Sequence, residues 1–154
     1  MSPAGSYIVC VSGHVDHTPD QVQKFCGKCG EALITNCPSC GDQIAVHTYG
    51  YGQNPWVDPF CGLCGKPFPW TENNRIALLE AIEELGDDLT VDEREKLKAS
   101  AGDALLTTTK SEIAVVRYKK AMDGLRGPAK DILVNVLSNV ASESFLQAIG
   151  LKAP

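Results

Sequence analysis

Seven cysteines and three histidines in 154 residues are the side chains with the sharpest chemistry in this sequence. Six of the cysteines repeat one pattern: Cys26-Gly-Lys-Cys29-Gly, Cys37-Pro-Ser-Cys40-Gly and Cys61-Gly-Leu-Cys64-Gly. A tight turn points two such thiolates at one ion, and the following glycine lets the chain reverse while backbone N–H groups face the sulfurs. A single C-x-x-C also serves thiol–disulfide exchange, but three copies, each followed by glycine, specify zinc knuckles. The remaining cysteine opens Cys10-Val-Ser-Gly-His14. Pairing Cys10 with His14 brings the donors to eight, the number that two closed tetrahedral sites require. Cys10 could otherwise be a buried strand residue, since Tyr7 to Val11 reads as a strand, and His14 a turn residue. His17 is the rival nitrogen donor, and His47 reads as a loop residue far from any knuckle.

The spacing leaves the pairing of knuckles open. A sequential arrangement gives Cys10, His14, Cys26 and Cys29 one zinc and Cys37, Cys40, Cys61 and Cys64 the other. Its intervening stretches, 15–25 and 41–60, are each long enough for a hairpin or loop. A nested arrangement would join the second and third pairs across residues 30–36, and an interleaved cross-brace is the third option. We favour the sequential pairing, in which Ala32 to Thr35 forms a short strand joining two zinc ribbons.

The elements that must position these donors lie in the first half of the chain. Residues 1–70 hold every cysteine and histidine, seven of the nine prolines and nine of the fourteen glycines. So much Gly and Pro in so short a stretch buries little apolar surface, and a module of this kind folds around metal. Residues 71–154 hold no cysteine and place apolar residues at helical intervals. Two modules follow, 1–70 and 71–154, joined at Pro67-Phe68-Pro69-Trp70, where proline opposes continuous helix. Four or five helices are expected in the second. Thr71 caps the first, with Ile76, Leu79 and Ile82 as its stripe and Leu78 and Leu85 widening it. Thr90 to Glu93 is a capping box opening a helix to about Ala101. A third runs from about Thr108 to Gly124 with Val115, Tyr118, Met122 and Leu125 on one face. A fourth follows Gly127-Pro128 with Ile132, Leu133, Val136, Leu137 and Val140, and a short last one uses Phe145, Leu146 and Ile149. The expected fold class is small α+β: tandem zinc ribbons built of short hairpins, then an all-α domain.

The three knuckles resemble double zinc ribbon proteins over about residues 7–70. The combination of Cys10-x-x-Gly-His14, the knuckles, Pro67 to Glu72 and a helical tail resembles an uncharacterised bacterial family over nearly the whole chain. The resemblance implies metal and fold but brings no activity with it, because zinc ribbons serve nucleic-acid binding, protein docking and structural support alike.

Zinc held by four protein ligands has no position for water or substrate, so its expected role is structural. The thiolates take the formal net charge from −5 to about −8 when both ions bind, a poor match for a phosphate backbone. Arg117, Lys119, Lys120, Arg126 and Lys130 form the one basic cluster, which reads first as a solvated helix face and second as an RNA-contacting patch. Tyr49, Tyr51 and Trp56, in the 41–60 stretch, are the candidates for contact with a partner protein. Phe60, Phe68 and Trp70 read instead as rings covering the second zinc site. No phosphate-cradling loop, dinucleotide fingerprint or H-E-x-x-H is present, and an enzyme is not expected. Met1 to Ser6 lack a basic n-region and no run approaches ~18 apolar residues, so the expectation is a cytoplasmic protein with no membrane segment. The function read from the sequence is a non-catalytic zinc-binding adaptor or regulatory protein acting on another protein, with nucleic-acid binding as the alternative.

Overall fold

The computed structural model describes residues 6–18, 23–50 and 53–152. Its contacts separate into two compact units, Met1–Asn73 and Asn74–Pro154.

The first unit is built from small antiparallel sheets. β1 (Ser6–Cys10) and β2 (Val15–Thr18) form a hairpin, and β3 (Leu33–Ile34) pairs with the other edge of β1 to give the order β2-β1-β3. The register sets Val9 opposite both Val15 and Ile34, and Cys10 opposite Leu33. A second hairpin joins β4 (Val46–Tyr49) to β5 (Gln53–Val57), with an irregularity between His47 and Tyr49. The stretch 41–60, read as a long loop, is thus largely a hairpin, and His47 sits in a strand. The interior is small and partly sulfur: Val9, Cys37, Ile44, Cys61, Phe68 and Trp70 form one buried cluster.

The second unit is helical. α1 (Pro69–Glu84) crosses the boundary between the units and ends in a 3-10 turn at Gly86–Asp88. It is followed by α2 (Val91–Ala99), α3 (Ala101–Leu105), α4 (Ser111–Gly124), α5 (Gly127–Val140) and α6 (Glu143–Ala148). Thr90 makes the expected capping box: its Oγ1 accepts from Glu93 N at 3.2 Å, and its own N–H donates to Glu93 Oε2 at 2.9 Å. These bonds, the backbone one foremost, pull the Glu93 carboxyl below its ordinary pKa. Leu78, Ile82, Leu85, Leu97, Leu133, Leu137 and Leu146 share one buried cluster with Tyr118, which is wholly buried, meets Phe145 edge-on at 5.5 Å and donates its hydroxyl to Leu97 O at 2.9 Å. Burial and that satisfied hydroxyl make Tyr118 a fixed point of the core.

Four details differ from the sequence reading. Ile76 is 41% exposed, because the buried row of α1 runs through Leu78 and Ile82 and on to Leu85 just past its end. Thr71 does not cap α1; it lies within the first turn, and its hydroxyl donates to Pro59 O at 2.6 Å. Ile132 is also exposed, at 39%, and Leu133 and Leu137 carry the burial of α5. The helix expected to run to about Ala101 instead breaks at Ser100, whose ψ of 3° turns the chain into α3. Ser100 is buried, and its Oγ accepts from Arg117 Nη1 at 2.6 Å, so a contact made by α4 fixes the break.

Candidate metal centres

Each C-x-x-C-G segment folds in the same way. The Gly30, Gly41 and Gly65 N–H groups donate to the carbonyls of Cys26, Cys37 and Cys61 at 2.8, 2.9 and 2.9 Å. All three glycines have φ between +72° and +79°, a region that costs other residues roughly 1–2 kcal/mol. A second bond closes each turn: Cys26 N to Glu31 O, Cys37 N to Asp42 O and Cys61 N to Lys66 O. The first cysteine of each pair is buried and the second exposed. The Cys10–His14 turn is made differently. It is the tip of the β1–β2 hairpin, closed by Gly13 N to Cys10 O at 2.8 Å and Cys10 N to His14 O at 3.0 Å, with the positive φ at Gly13, ahead of the second donor. Cys10 therefore both ends a strand and offers its sulfur to a metal group.

The eight donors gather as two groups of four, Cys10, His14, Cys26 and Cys29, and Cys37, Cys40, Cys61 and Cys64, with the donor atoms of each group all within 4.8 Å of one another. In the first, Cys10 Sγ lies 3.5 Å from His14 Nδ1 and 3.7 Å from Cys29 Sγ, and Cys26 Sγ lies 3.7 Å from the same nitrogen. In the second, Cys37 and Cys64 sulfurs are 3.8 Å apart and those of Cys40 and Cys61 3.7 Å. Zinc–sulfur bonds of about 2.3 Å and zinc–nitrogen bonds of about 2.0–2.1 Å imply tetrahedral edges of about 3.8 Å between sulfurs and about 3.6 Å between sulfur and nitrogen. The observed edges match. They are far longer than the ~2.05 Å of a disulfide. Three thiols and an imidazole, and four thiols, are also the donor chemistry that selects zinc. The two groups are positioned to bind two zinc ions. Each would then be fully coordinated by protein, and the ions' contribution would be to hold the knuckles together.

Backbone donors prepare the sulfurs for that charge. Lys28 N–H points at Cys26 Sγ at 3.4 Å and, as the largest influence, draws that thiol down to about 6. The Cys40 N–H does the same for Cys37, to about 7. Cys40 receives an N–H from Asp42, but desolvation and three neighbouring sulfurs outweigh it and push the thiol up to about 12. Burial likewise raises Cys10. Without metal, the sulfurs of a group thus divide the protons unequally; zinc binding requires all of them as thiolates and releases those protons.

Trp70 and Phe68 cover the second group. The rings stack at 4.6 Å in the cluster that contains Cys37 and Cys61, and Trp70 Nε1 donates to Asp58 O at 3.0 Å. Trp70 also touches the first group's turn, because a Cβ added to Gly13 would come within 3.0 Å of Trp70 Cβ. The covering role of Phe68 and Trp70 is the one expected from the sequence, whereas Phe60 is 39% exposed. The contact of Trp70 with the first turn was not read there, although Gly13 between two donors was a signal that the chain needs a positive φ.

The candidate partner residues fall in different settings. Tyr49 is 70% exposed, Trp56 is 39% exposed, and the two rings lie 4.7 Å apart on the β4–β5 hairpin; Tyr51 lies outside the described residues. His47 extends this aromatic face, 5.3 Å from Trp56, with its Nε2 2.7 Å from Asp58 Oδ2. Lys119 and Lys120 are exposed on α4, whereas Arg117 is half-buried and engaged with Ser100.

The model of a family described as an uncharacterized protein conserved in bacteria (DUF2321) matches residues 6–149. The chain belongs to that family. No curated protein and no solved structure matches it. The matched span takes in both metal groups and all six helices, so the knuckles and the helical unit belong to one family architecture. Among the described residues, no helix is long and apolar enough to cross a membrane.

Proposed function

We propose that the protein is a non-catalytic adaptor or regulatory protein, in which two structural zinc ions hold a binding surface that docks another protein. The observation that carries this reading is the β4–β5 hairpin, which presents Tyr49, Trp56 and His47 on one face while Phe68 and Trp70 are buried beneath the knuckles. Large rings left in water, next to a core that could have taken them, are the anchors expected of an interface. Two filled tetrahedra would offer no open position for a substrate, which supports a structural rather than catalytic role for the metal. A reducing, cytoplasmic setting goes with this reading, because seven thiols must be kept from forming disulfides. The nucleic-acid alternative draws support from the exposure of Lys119 and Lys120. The acidic net charge weighs against it, and so does Tyr118, which is buried and cannot stack on a base.

Affinity capture of the zinc-loaded protein from host lysate, with and without nuclease, tests the choice. The adaptor reading expects partners that survive nuclease and are lost with Tyr49→Ala and Trp56→Ala together. Partners lost to nuclease, or to Lys119→Glu with Lys120→Glu, would overturn it in favour of nucleic acid.

A further inference from the structure

Beside the second metal group lies a cleft of about 290 Å³, walled by Ala45, Phe60, Leu63 and Phe68 and lined as well by the acidic residues Asp42 and Asp58. No basic side chain lines it. Leu63, at the tip of the third knuckle, is 71% exposed, and Phe60 is 39% exposed. Asp58 uses Oδ2 to hold His47, and the Asp42 carboxylate has no ion-pair or hydrogen-bond partner among the described residues. Apolar walls with two carboxylates and no cation form a surface whose missing complement is a positive charge on an apolar stem. The side chains of arginine and lysine have that form: the methylenes cover apolar rings while the head meets oxygen. Arginine fits the better, since its planar guanidinium also stacks on aromatic faces such as those of Trp56 and Tyr49 on the adjoining hairpin. Four thiolates around one zinc would add a formal charge of about −2 where Cys61 lines the same cleft.

The geometry points to this cleft, with the aromatic hairpin face that shares Asp58, as the docking site for an arginine-bearing segment of a partner protein. The inference rests on the adaptor reading and gives that partner its chemistry. Phe60 and Leu63 take the stem of the arginine, Asp42 and Asp58 take its guanidinium, and Tyr49 and Trp56 extend the contact along the segment.

The test uses the full zinc-loaded chain and three labelled synthetic peptides: an arginine-rich one, its citrulline counterpart of the same shape without charge, and a glutamate-rich one. Fluorescence anisotropy measures binding to the unaltered protein, to Asp42→Asn with Asp58→Asn, and to Glu84→Gln with Asp87→Asn. The last removes the same charge from the helical unit. The expected result is arginine binding at least about tenfold tighter than citrulline, and a loss of about tenfold or more in the Asp42 and Asp58 variant, as fits removing hydrogen bonds to a charged group. The helical variant should change affinity less than about threefold, the scale of a screened surface effect. Asp42→Asn alone leaves the His47 contact in place, and zinc content with a two-dimensional amide spectrum verifies that each variant is folded. Equal binding of arginine and citrulline, equal losses in the two charge variants, or undiminished binding by a folded Asp42→Asn protein would overturn the proposal. If the peptides fail to discriminate while Tyr49→Ala with Trp56→Ala still abolishes capture from lysate, the basic ligand is rejected and the adaptor reading stands. Discrimination without capture of any partner would uphold the cleft and remove the adaptor.

Discussion

The two units solve the same problem with different materials. Unit 74–154 buries eighteen residues in one cluster, nearly all of them aliphatic or aromatic, and pairs the one phenol among them internally, Tyr118 to Leu97 O. Unit 1–73 buries six in its main cluster, and two of the six are Cys37 and Cys61. Where the helical unit separates core from surface chemistry, the metal unit makes its ligands part of the core. The first should therefore be stable without a cofactor, and the second should depend on its donors being tied together.

The largest effect follows directly. Exhaustive chelation should collapse the metal unit, because structural zinc contributes apparent folding energy of about 10–16 kcal/mol in small domains. Far-ultraviolet circular dichroism should keep most of its helical signal, and amide signals from residues 6–68 should lose their dispersion while those of α2 to α6 remain. Simultaneous loss of both sets would break the comparison by showing one cooperative unit. Cys26→Ser or Cys37→Ser should each lower the bound zinc from two ions to one, and a single variant that removed both would mean that the two groups are not independent sites.

The metal groups were legible in the sequence because their signal is local. Three C-x-x-C-G turns close their own hydrogen bonds within seven residues, and Cys10 with His14 sits on one hairpin tip. The capping box at Thr90 was legible for the same reason. What could not be read was decided by contacts distant in sequence. Ser100 ends α2 because its hydroxyl meets Arg117 on α4. Ile76 fits the helical period as well as Leu78 does, and only the packing of neighbouring helices selects the face that is buried. The β4–β5 hairpin was obscured by Pro55 and by Asn54 at φ +50°, both poor strand residues. A two-stranded sheet has only edges, and an edge tolerates proline.

An intermediate effect sharpens the contrast from the helical side. Tyr118→Ala removes a fully buried ring and should cost the helical unit about 4 kcal/mol, the range for deleting a large aromatic from a core. Tyr118→Phe keeps the ring and removes one of the donors to Leu97 O, which still accepts from Ser100 N at 3.1 Å, for a loss of about 1 kcal/mol. Urea unfolding followed by helical circular dichroism measures both. Neither variant should change the zinc content, and a fall in bound zinc would contradict the separation of the two cores.

The finest contrast compares one glycine from each unit. Gly13 has φ +88°, and a Cβ there would lie 3.0 Å from Trp70 Cβ, so Gly13→Ala meets both backbone strain and a clash. The expected cost is about 1–3 kcal/mol, confined to the metal unit. It should appear as faster zinc transfer to a chelator, because the turn that carries Cys10 and His14 is displaced. Gly102 lies inside α3 with nothing within 4 Å of the corresponding position. Gly102→Ala should raise the stability of the helical unit by roughly 0.4–1 kcal/mol, since alanine restricts the unfolded chain and suits a helix. Opposite signs from the same chemical change would show that the hairpin tip of the metal unit demands glycine at a position where the helical unit gains from alanine. If Gly13→Ala released zinc no faster than the unaltered protein, Trp70 would be free to move aside, and its packing against the first turn would not be what holds the donors in place.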